Sequence, residues 1–187
     1  MAQLVIDLNF INLIGRLYSF LCRKFYIILY IMKGLRVKNS LYLGRRIRFN
    51  NVDAITILDA VSLGDNIRIW GEIKSENSRL IIGRNVQVNR DTLLDITGRL
   101  ELKDNVFISE GCMLYTHTHG HDPRSVPVST TLVIEENVWI GTNVIILPSV
   151  NYIGARSIIG AGTVVSKNIP PDVTVVSQSS RILSKAD

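Results

Sequence analysis

The 187-residue chain has few cysteines, few aromatic residues and no long uncharged stretch in its apolar N-terminal segment. Its two cysteines, Cys22 and Cys112, lie far apart and match no disulfide or metal-binding spacing. We therefore expect neither a structural disulfide nor a cysteine-based zinc site. We also expect the protein to reside in a reducing compartment. Within residues 17–32 the longest uncharged run extends only from Phe25 to Met32, far short of the roughly 20 apolar residues that span a bilayer. No small-residue cleavage site follows, so the segment is not interpreted as a removed secretory signal.

The positive charge of the chain is concentrated at its N-terminal end. The formal net charge is +5, but residues 1–50 carry nine Lys or Arg against the single acid Asp7. Residues 51–187 instead carry twelve Lys or Arg against fifteen acids, without a basic stripe interleaved with aromatic residues. This distribution argues against a nucleic-acid partner and favours an anionic surface near the N-terminus.

Residues 1–50 are predicted to form a basic, amphipathic helical segment. A narrow polar stripe follows one helical face at steps of three and four residues, while the rest of the segment is apolar. Its members are Asn9, Asn12, Arg16, Ser19 and Arg23. Two interpretations stay open. The segment either lies peripherally on a membrane with its cations near lipid phosphates, or caps the following domain or a neighbouring subunit.

Small aliphatic residues recur every six positions through the remainder of the chain. A strict period of six fits neither an amphipathic helix nor an alternating strand, but it fits a solenoid with three short flat sides per coil. Gly, Asn or Asp often follow these positions, as tight corners require. The sequence therefore predicts a mainly β fold, a three-sided parallel β-helix over residues 51–187. The fifteen positions are Ile57, Leu63, Ile69; Ile82, Val88, Leu94; Leu102, Ile108, Leu114; Ile134, Ile140, Ile146; and Ile153, Ile159, Val165.

All three histidines of the chain lie at the start of its longest interruption, residues 115–133. His117, His119 and His121 alternate with other residues there. Metal binding has the right residue type, but this spacing is unusual for zinc and cysteine partners are missing. General-base catalysis needs only one oriented imidazole. A polar surface loop is the third interpretation, and composition alone does not choose among them.

Three motifs in register with the six-residue lattice resemble the hexapeptide-repeat acyltransferases. They are residues 83–91, 115–123 and 137–141, and they are similar to the maltose, galactoside and polysaccharide O-acetyltransferases in particular. The resemblance covers roughly residues 57–185. It implies a left-handed β-helix, against the general preference for right-handed crossovers. It also implies acetyl-CoA as the acyl donor, no metal ion, and a homotrimer whose neighbouring subunits share the donor site.

The resemblance also implies roles for particular residues. His119 matches the catalytic base, and Asn89 matches an active-site asparagine that would hydrogen-bond the acceptor. The amide of Thr142 would face the thioester carbonyl. The expected acceptor-pocket or orienting residues are His117, His121 and Asp91. The positions that match donor contacts are Trp139, Gly141, Ala161, Ser166, Lys167 and Arg181.

The predicted activity is transfer of an acetyl group from acetyl-CoA to a sugar hydroxyl. We expect it to act in the synthesis of a surface polysaccharide (an O-antigen, capsule or exopolysaccharide) in the cytoplasm, at the inner face of a bacterial membrane. Two alternatives stay open. The first is an N-acetyltransferase acting on an amino-sugar nucleotide with the same donor and base. The second is a non-catalytic β-helix scaffold, which would not need Asn89 and His119 together.

Overall fold

A computed structural model describes residues 8–177, which contain one long helix followed by short strands. The helix is α1 (Leu8–Met32), and a single 3-10 turn spans Val52–Ala54. The strands, in chain order, are β1 (Arg36–Val37), β2 (Leu41–Leu43), β3 (Arg48–Phe49), β4 (Ile55–Ile57), β5 (Val61–Leu63), β6 (Arg68–Trp70), β7 (Arg79–Ile82), β8 (Gln87–Val88), β9 (Leu93–Asp95), β10 (Arg99–Leu102), β11 (Phe107–Ile108), β12 (Met113–Leu114), β13 (His117–Thr118), β14 (Val128–Ser129), β15 (Thr131–Ile134), β16 (Trp139–Ile140), β17 (Ile145–Ile146), β18 (Tyr152–Ile153), β19 (Ile158–Ile159), β20 (Val164–Val165) and β21 (Thr174–Val175).

The strands stack into the three flat faces of a prism, and successive strands join three parallel sheets in turn, apart from the hairpin strands β13 and β14 and the last strand β21. Face A contains β1, β4, β7, β10, β15 and β18, in that spatial order. Face B contains β2, β5, β8, β11, β16, β19 and β21, and face C contains β3, β6, β9, β12, β17 and β20. The chain passes from A to B to C in each coil, so the prism has an A–B, a B–C and a C–A corner.

The six-residue lattice forms the core of this prism, as predicted. All fifteen lattice side chains are at most 3% exposed. Equivalent positions stack across coils, for example Leu63 on Val88 and Ile108 on Ile140. Burying one such aliphatic side chain contributes roughly 1.5–3 kcal/mol, so each coil is stabilised by the coils on either side.

The coils begin earlier than the predicted boundary at residue 51. Val37, Leu43 and Phe49 keep the spacing of six, and they pair with the triplet that starts at Ile57. This first coil is rich in Lys and Arg, and an aromatic ring takes its third inward position, so the aliphatic pattern is hidden in the sequence. The β-helix therefore starts at Arg36, and within the described residues it is preceded by the helix and its connection.

The corners use left-handed backbone conformations at the third residue after a lattice position. Asn85, Asn105 and Asn137 have φ between 54° and 60°. Asn tolerates this region better than most residues because its short amide forms local hydrogen bonds. Here the amides form a ladder along one edge: Asn85 Nδ2 donates to Asn105 Oδ1 at 2.9 Å, and Asn105 Nδ2 donates to Asn137 Oδ1 at 3.2 Å.

Helix α1 covers the first coil with one side and leaves an apolar side exposed. It ends in a glycine cap: Gly34 has φ 104°, and the N–H of Leu35 donates back to the carbonyl of Tyr30 at 3.0 Å. The Tyr30 ring packs edge-on against Phe49, with ring centroids 4.6 Å apart. The capping role expected as one alternative is therefore present, while large side chains such as Phe25 on the opposite side remain exposed.

The predicted polar stripe is described only in part. The side chains of its first four members lie outside the described part of the chain, whereas Arg23 donates to the hydroxyl of Tyr42 at 2.8 Å. Among the described residues, no helix has the length and hydropathy required to cross a bilayer.

Candidate active site

The long interruption forms a β-hairpin that projects from the C–A corner. After β12 the chain enters β13, which pairs antiparallel with β14. The predicted loop 115–133 is shorter than expected, because Thr131 already begins β15 and pairs with Arg99 on face A. Gly98 lies beneath the hairpin. A Cβ atom there would collide with the backbone carbonyl oxygens on both sides of the hairpin base, so only glycine fits this close approach.

A buried carboxylate, Asp95, anchors the base of the hairpin. Its Oδ1 accepts hydrogen bonds from the N–H and the hydroxyl of Thr97 at 2.9 and 2.6 Å. Its Oδ2 accepts from the N–H of Thr116 at 2.6 Å and lies 2.7 Å from Nδ1 of His117. The N–H of Glu72 donates to the Thr97 hydroxyl at 2.9 Å. These bonds compensate the burial of Asp95 and connect three chain segments to one carboxylate.

The hydrogen bonds fix the tautomers of both His117 and His119. The carboxylate of Asp95 accepts hydrogen bonds, so Nδ1 of His117 carries the proton that it donates. The carbonyl oxygen of Ser125 can only accept, so Nδ1 of His119, 2.8 Å away, carries a proton as well. In the neutral form, each ring therefore presents an unprotonated Nε2.

Both Nε2 atoms face the same carboxylate oxygen. Oε2 of Glu72 lies 3.2 Å from Nε2 of His117 and 3.2 Å from Nε2 of His119. With both rings neutral, the lone pairs of the two Nε2 atoms and of the Glu72 oxygen would face one another with no hydrogen atom between them, and they would repel. A proton on one imidazole, or a cation, resolves this repulsion, so the cluster is suited to take up a proton.

The environment of His119 favours its protonated form. The hydrogen bond to the Ser125 carbonyl, followed by the Glu72 carboxylate, raises the pKa of His119 above its ordinary value of 6.5, although desolvation opposes the shift. A base whose conjugate acid is stabilised in this way accepts a proton readily at neutral pH.

The same atoms form a donor set suitable for a metal ion. One ligand atom each from Glu72, His117 and His119 lies within 4.8 Å of the others. Two imidazoles and one carboxylate are typical ligands of zinc and related divalent metals, and Asp95 would orient one imidazole from behind. The unusual sequence spacing of the histidines therefore does not prevent a metal site, because Glu72 completes the set from another coil. The expectation of no metal stays a prediction.

Four of the predicted site residues lie at a different corner from the histidines. Asn89, Asp91, Gly141 and Thr142 all follow strands of face B, at the B–C corner. Asn89 accepts a hydrogen bond from the Gln87 side-chain amide at 2.8 Å. The corner turn at residues 90–91 and then strand β9 separate Asn89 from Asp95, so these two residues lie at opposite edges of face C. One prism therefore does not bring Asn89 and His119 together.

Two of these B–C residues have evident structural roles. Asp91 adopts the left-handed corner conformation with φ 60° and accepts a hydrogen bond from the Asn66 amide at 2.9 Å. A Cβ atom on Gly141 would lie 2.7 Å from the backbone nitrogen of Ala161, so the two corners pack closely. The N–H of Thr142 has no hydrogen-bond partner within residues 8–177, and this leaves it available to a ligand.

The predicted donor-contact residues are divided between two corners and the end of the chain. Trp139 lies on face B, half exposed, with its indole N–H donating to the Ser109 hydroxyl at 3.2 Å. Ala161 is exposed at the B–C corner, and Ser166 and Lys167 are exposed where face C ends. Arg181 lies outside the described residues.

Two further sequence candidates have no part in the described cluster. His121 is exposed at the hairpin tip and makes no hydrogen bond to His117 or His119 in the described structure. Cys112 is fully buried, two residues before Leu114, and burial raises the pKa of its thiol. A buried neutral thiol is a core residue and not a nucleophile.

The sequence reasoning missed Glu72, Asp95 and Ser125, all of which contact the histidines. Asp95 carried a weak signal, because an acid directly after a lattice residue and two before a threonine is typical of a local turn. Glu72 carried none, since it lies in a polar insertion 47 residues before His119.

Comparisons with known proteins identify relatives of the same architecture. No family profile matches the chain. Over 113 residues the chain is 35% identical to the galactoside O-acetyltransferase of Escherichia coli K12, which covers 58% of this chain and 55% of that enzyme. The chain spans about half the length of the curated relatives it matches.

Solved structures agree with the sequence relatives. A hexapeptide-repeat acetyltransferase of Vibrio cholerae, complexed with acetyl coenzyme A, has a TM-score of 0.52 at 26% identity and covers 76% of this chain and 69% of its own. A galactoside acetyltransferase in complex with coenzyme A has a TM-score of 0.54 at 28% identity and covers 66% of this chain and 60% of its own. The chain is thus similar to the hexapeptide-repeat acetyltransferases, and the predicted left-handed parallel β-helix is confirmed.

Proposed function

We propose that the protein transfers an acetyl group from acetyl-CoA to a sugar hydroxyl, with His119 as the general base. The observation that carries the proposal is the convergence of two imidazoles on the Glu72 carboxylate, at the hairpin of a hexapeptide β-helix. Relatives named as galactoside O-acetyltransferases, and neighbours solved with acetyl-CoA or CoA, support the donor and the reaction class.

In the proposed reaction, Nε2 of His119 takes the proton of the acceptor hydroxyl as the oxygen attacks the thioester carbonyl. The tetrahedral intermediate then expels the CoA thiolate, which receives the proton from the imidazolium. Glu72 stabilises the imidazolium between these two steps. A positioned base of this kind contributes about 10²–10⁴-fold in rate. The Thr142 amide would donate to the oxyanion, and Asn89 would hold the acceptor in line.

We propose that the site is completed between subunits of a trimer. Asn89 and Thr142 lie at the B–C corner, whereas His119 lies at the C–A corner, so contact of these two corners on neighbouring prisms would assemble all three groups. Each prism offers both corners, and such a head-to-tail contact closes with three-fold symmetry.

The exposed apolar side chains of faces B and C support this assembly. Phe107, Trp139 and Ile158 form one outward-facing column in register on face B, and each is more than a third exposed. Met113 and Val164 are similarly exposed on face C. Apolar columns of this kind are typical of subunit interfaces or of a groove that holds an apolar ligand arm.

The acceptor is proposed to belong to surface-polysaccharide synthesis at a membrane. The support is the location of basic residues and the exposed apolar side of α1 beside the first coil. An amino-sugar nucleotide as acceptor is the alternative for the same site, and it predicts an amide product in place of an ester.

Complementation between two inactive variants tests the proposal. We expect His119→Ala and Asn89→Ala each to lose transfer of radiolabelled acetyl groups from acetyl-CoA to a sugar panel. Trimers reassembled from an equal mixture of the two variants should regain about a quarter of the wild-type activity. With random mixing, about a quarter of the interfaces contain both an intact His119 and an intact Asn89. Alkaline treatment of the product separates ester from amide. Absence of transfer to every sugar and amino sugar would contradict the proposed function, and absence of complementation would contradict the shared site.

A further inference from the structure

A second polar group of residues shares a pocket with His117. The pocket has a volume of about 320 Å³, within the range of small-ligand sites, and lies over face C. Asp95, Glu72 and His117 line one end of it, and Arg48 and Arg68 line the other. The end nearer the first coil is therefore basic, and the end nearer the hairpin holds His117, whose ring centroid lies 5.2 Å from that of the proposed base His119.

The two arginines form an uncompensated pair. Arg48 in β3 and Arg68 in β6 are register partners on adjacent parallel strands, and both are exposed. Strands in one sheet lie about 4.8 Å apart, so the two positive charges repel each other. Neither guanidinium has a hydrogen-bond or ion-pair partner within residues 8–177.

Three other arginines on the coils each form an ion pair with an acid of the next coil. Arg45 pairs with Asp65 at 3.1 Å, one coil further along, and Arg84 pairs with Asp104 at 2.8 Å in the same way. Arg156 pairs with Asp172 at 2.6 Å. The pair beside the pocket lacks this arrangement, so its two guanidinium groups are available to bind an anion from outside the chain.

An aromatic ring lies between the basic end and the histidine end. Trp70 ends the same strand as Arg68, is half exposed, and is the register partner of Asp95. Its flat apolar surface is suited to the C–H face of a sugar ring. The pocket thus presents, in order, two cations, an aromatic platform and a proton acceptor.

We propose that the acceptor sugar carries a phosphate ester, as a monophosphate or a diphosphate, which Arg48 and Arg68 bind while a ring hydroxyl reaches His119. Arg68 lies on β6, and Tyr115, which begins the hairpin, follows β12. These two strands are two strand spacings apart on face C, about 10 Å, and this distance matches the length of one sugar ring plus a phosphate group. Two stacked guanidinium groups match the charge of a phosphate dianion or a diphosphate better than that of a single carboxylate. This inference rests on the proposed function, because it assigns the acceptor of that site.

Calorimetric titration of the full-length protein, with CoA at saturating concentration, tests the inference. CoA occupies the donor site, so its own phosphate contacts do not interfere. The probes are galactose 1-phosphate, UDP-galactose, galacturonate and methyl galactoside, together with their glucose counterparts. We expect the phosphorylated probes to bind at least about tenfold more tightly than the neutral and carboxylate probes. Arg48→Ala/Arg68→Ala should remove this preference, whereas Arg79→Ala, an exposed arginine on face A, should retain it.

The outcomes separate this inference from the proposed function. Unchanged binding of phosphorylated probes in Arg48→Ala/Arg68→Ala would overturn it, as would equal binding of neutral probes or no binding of any phosphorylated probe at millimolar concentration. A tighter complex with galacturonate would overturn the phosphate assignment. Loss of anionic-vesicle binding in the double variant, with sugar-phosphate binding intact, would assign the arginines to a lipid surface. Acetyl transfer to neutral sugars could persist in each of these cases, so the proposed function would stand.

Discussion

Nε2 of His119 lies 3.2 Å from Oε2 of Glu72, although the two residues are 47 positions apart in the chain. Glu72 follows the second coil on face C, and the His119 hairpin follows the fourth. Stacking of coils therefore brings an acid and a base together at one corner. The hydrogen bond from the Glu72 N–H to Thr97, and from Thr97 to Asp95, holds both segments on one buried anchor.

Removal of the proposed base should abolish turnover without unfolding the protein. His119→Ala is expected to lower kcat by at least ~10²-fold, since no other group would take the hydroxyl proton. His117→Ala should act mainly through the KM of the acceptor. His119 lies on the hairpin and outside the core, so His119→Ala should change the thermal midpoint little. His117→Ala should lower the thermal midpoint, because the buried Asp95 carboxylate loses one hydrogen bond. Steady-state kinetics and thermal melting measure these effects. A nearly normal His119→Ala beside an inactive His117→Ala would reverse the two roles.

The pH dependence of activity should follow the raised pKa of His119. The base must be neutral, so activity is present above its folded-state pKa and is lost as pH falls through it. We expect the acidic limb of kcat/KM above 6.5, the ordinary imidazole value. Glu72→Gln removes one cause of the shift and should move that limb to lower pH. Glu76→Gln, an exposed acid in the same insertion, is the matched control. An acidic limb unmoved by Glu72→Gln would remove Glu72 from the mechanism.

Zinc should inhibit the proposed acetyl transfer, because it would occupy the nitrogen that accepts the proton. A chelator is expected to leave activity unchanged, while micromolar zinc lowers it. Glu72→Gln should raise the zinc concentration needed by about 10-fold or more, since one ligand is lost. Glu76→Gln again serves as the control. Activity that disappears with chelation and returns with zinc would instead indicate a metal-dependent reaction.

A carboxylate in the core should prevent folding. Ile140 is fully buried between Ile108 and Ile159, so Ile140→Asp would place an unpaired charge inside the prism. We expect a loss of about 4 kcal/mol or more, seen as insoluble or unfolded protein by circular dichroism. Val126→Asp, on the hairpin and 77% exposed, should fold normally. A folded, soluble Ile140→Asp protein would contradict the role of the lattice.

The exposed side of α1 should determine any binding to lipid. Phe20→Ser/Phe25→Ser is expected to reduce sedimentation of the intact protein with anionic vesicles, and added salt should reduce it further by screening the basic residues. The variant should retain its thermal midpoint, because both rings are at least half exposed. Val176→Ser, an exposed apolar residue at the far end of the prism, is the control. Vesicle binding that is absent in the intact protein would leave α1 as a cap alone.

The six-residue lattice, the corner residues and the histidine-bearing interruption could all be predicted from the sequence by itself. Each of these features is a local property of the sequence, because one side of the prism and its corner are formed by about six consecutive residues. The pattern failed only in the first coil, where Phe49 replaces an aliphatic residue and arginines surround it. The core energetics there are the same, but the sequence signal is weaker.

The partners of the histidines were decided by tertiary structure alone. Glu72 and Asp95 contact His117 and His119 only because coils of about twenty residues stack in register. The same stacking places Arg48 beside Arg68, and it separates Asn89 from His119 by the width of a face. Such relationships depend on the lengths of insertions between coils, which set the register of polar side chains but leave no periodic trace in the sequence.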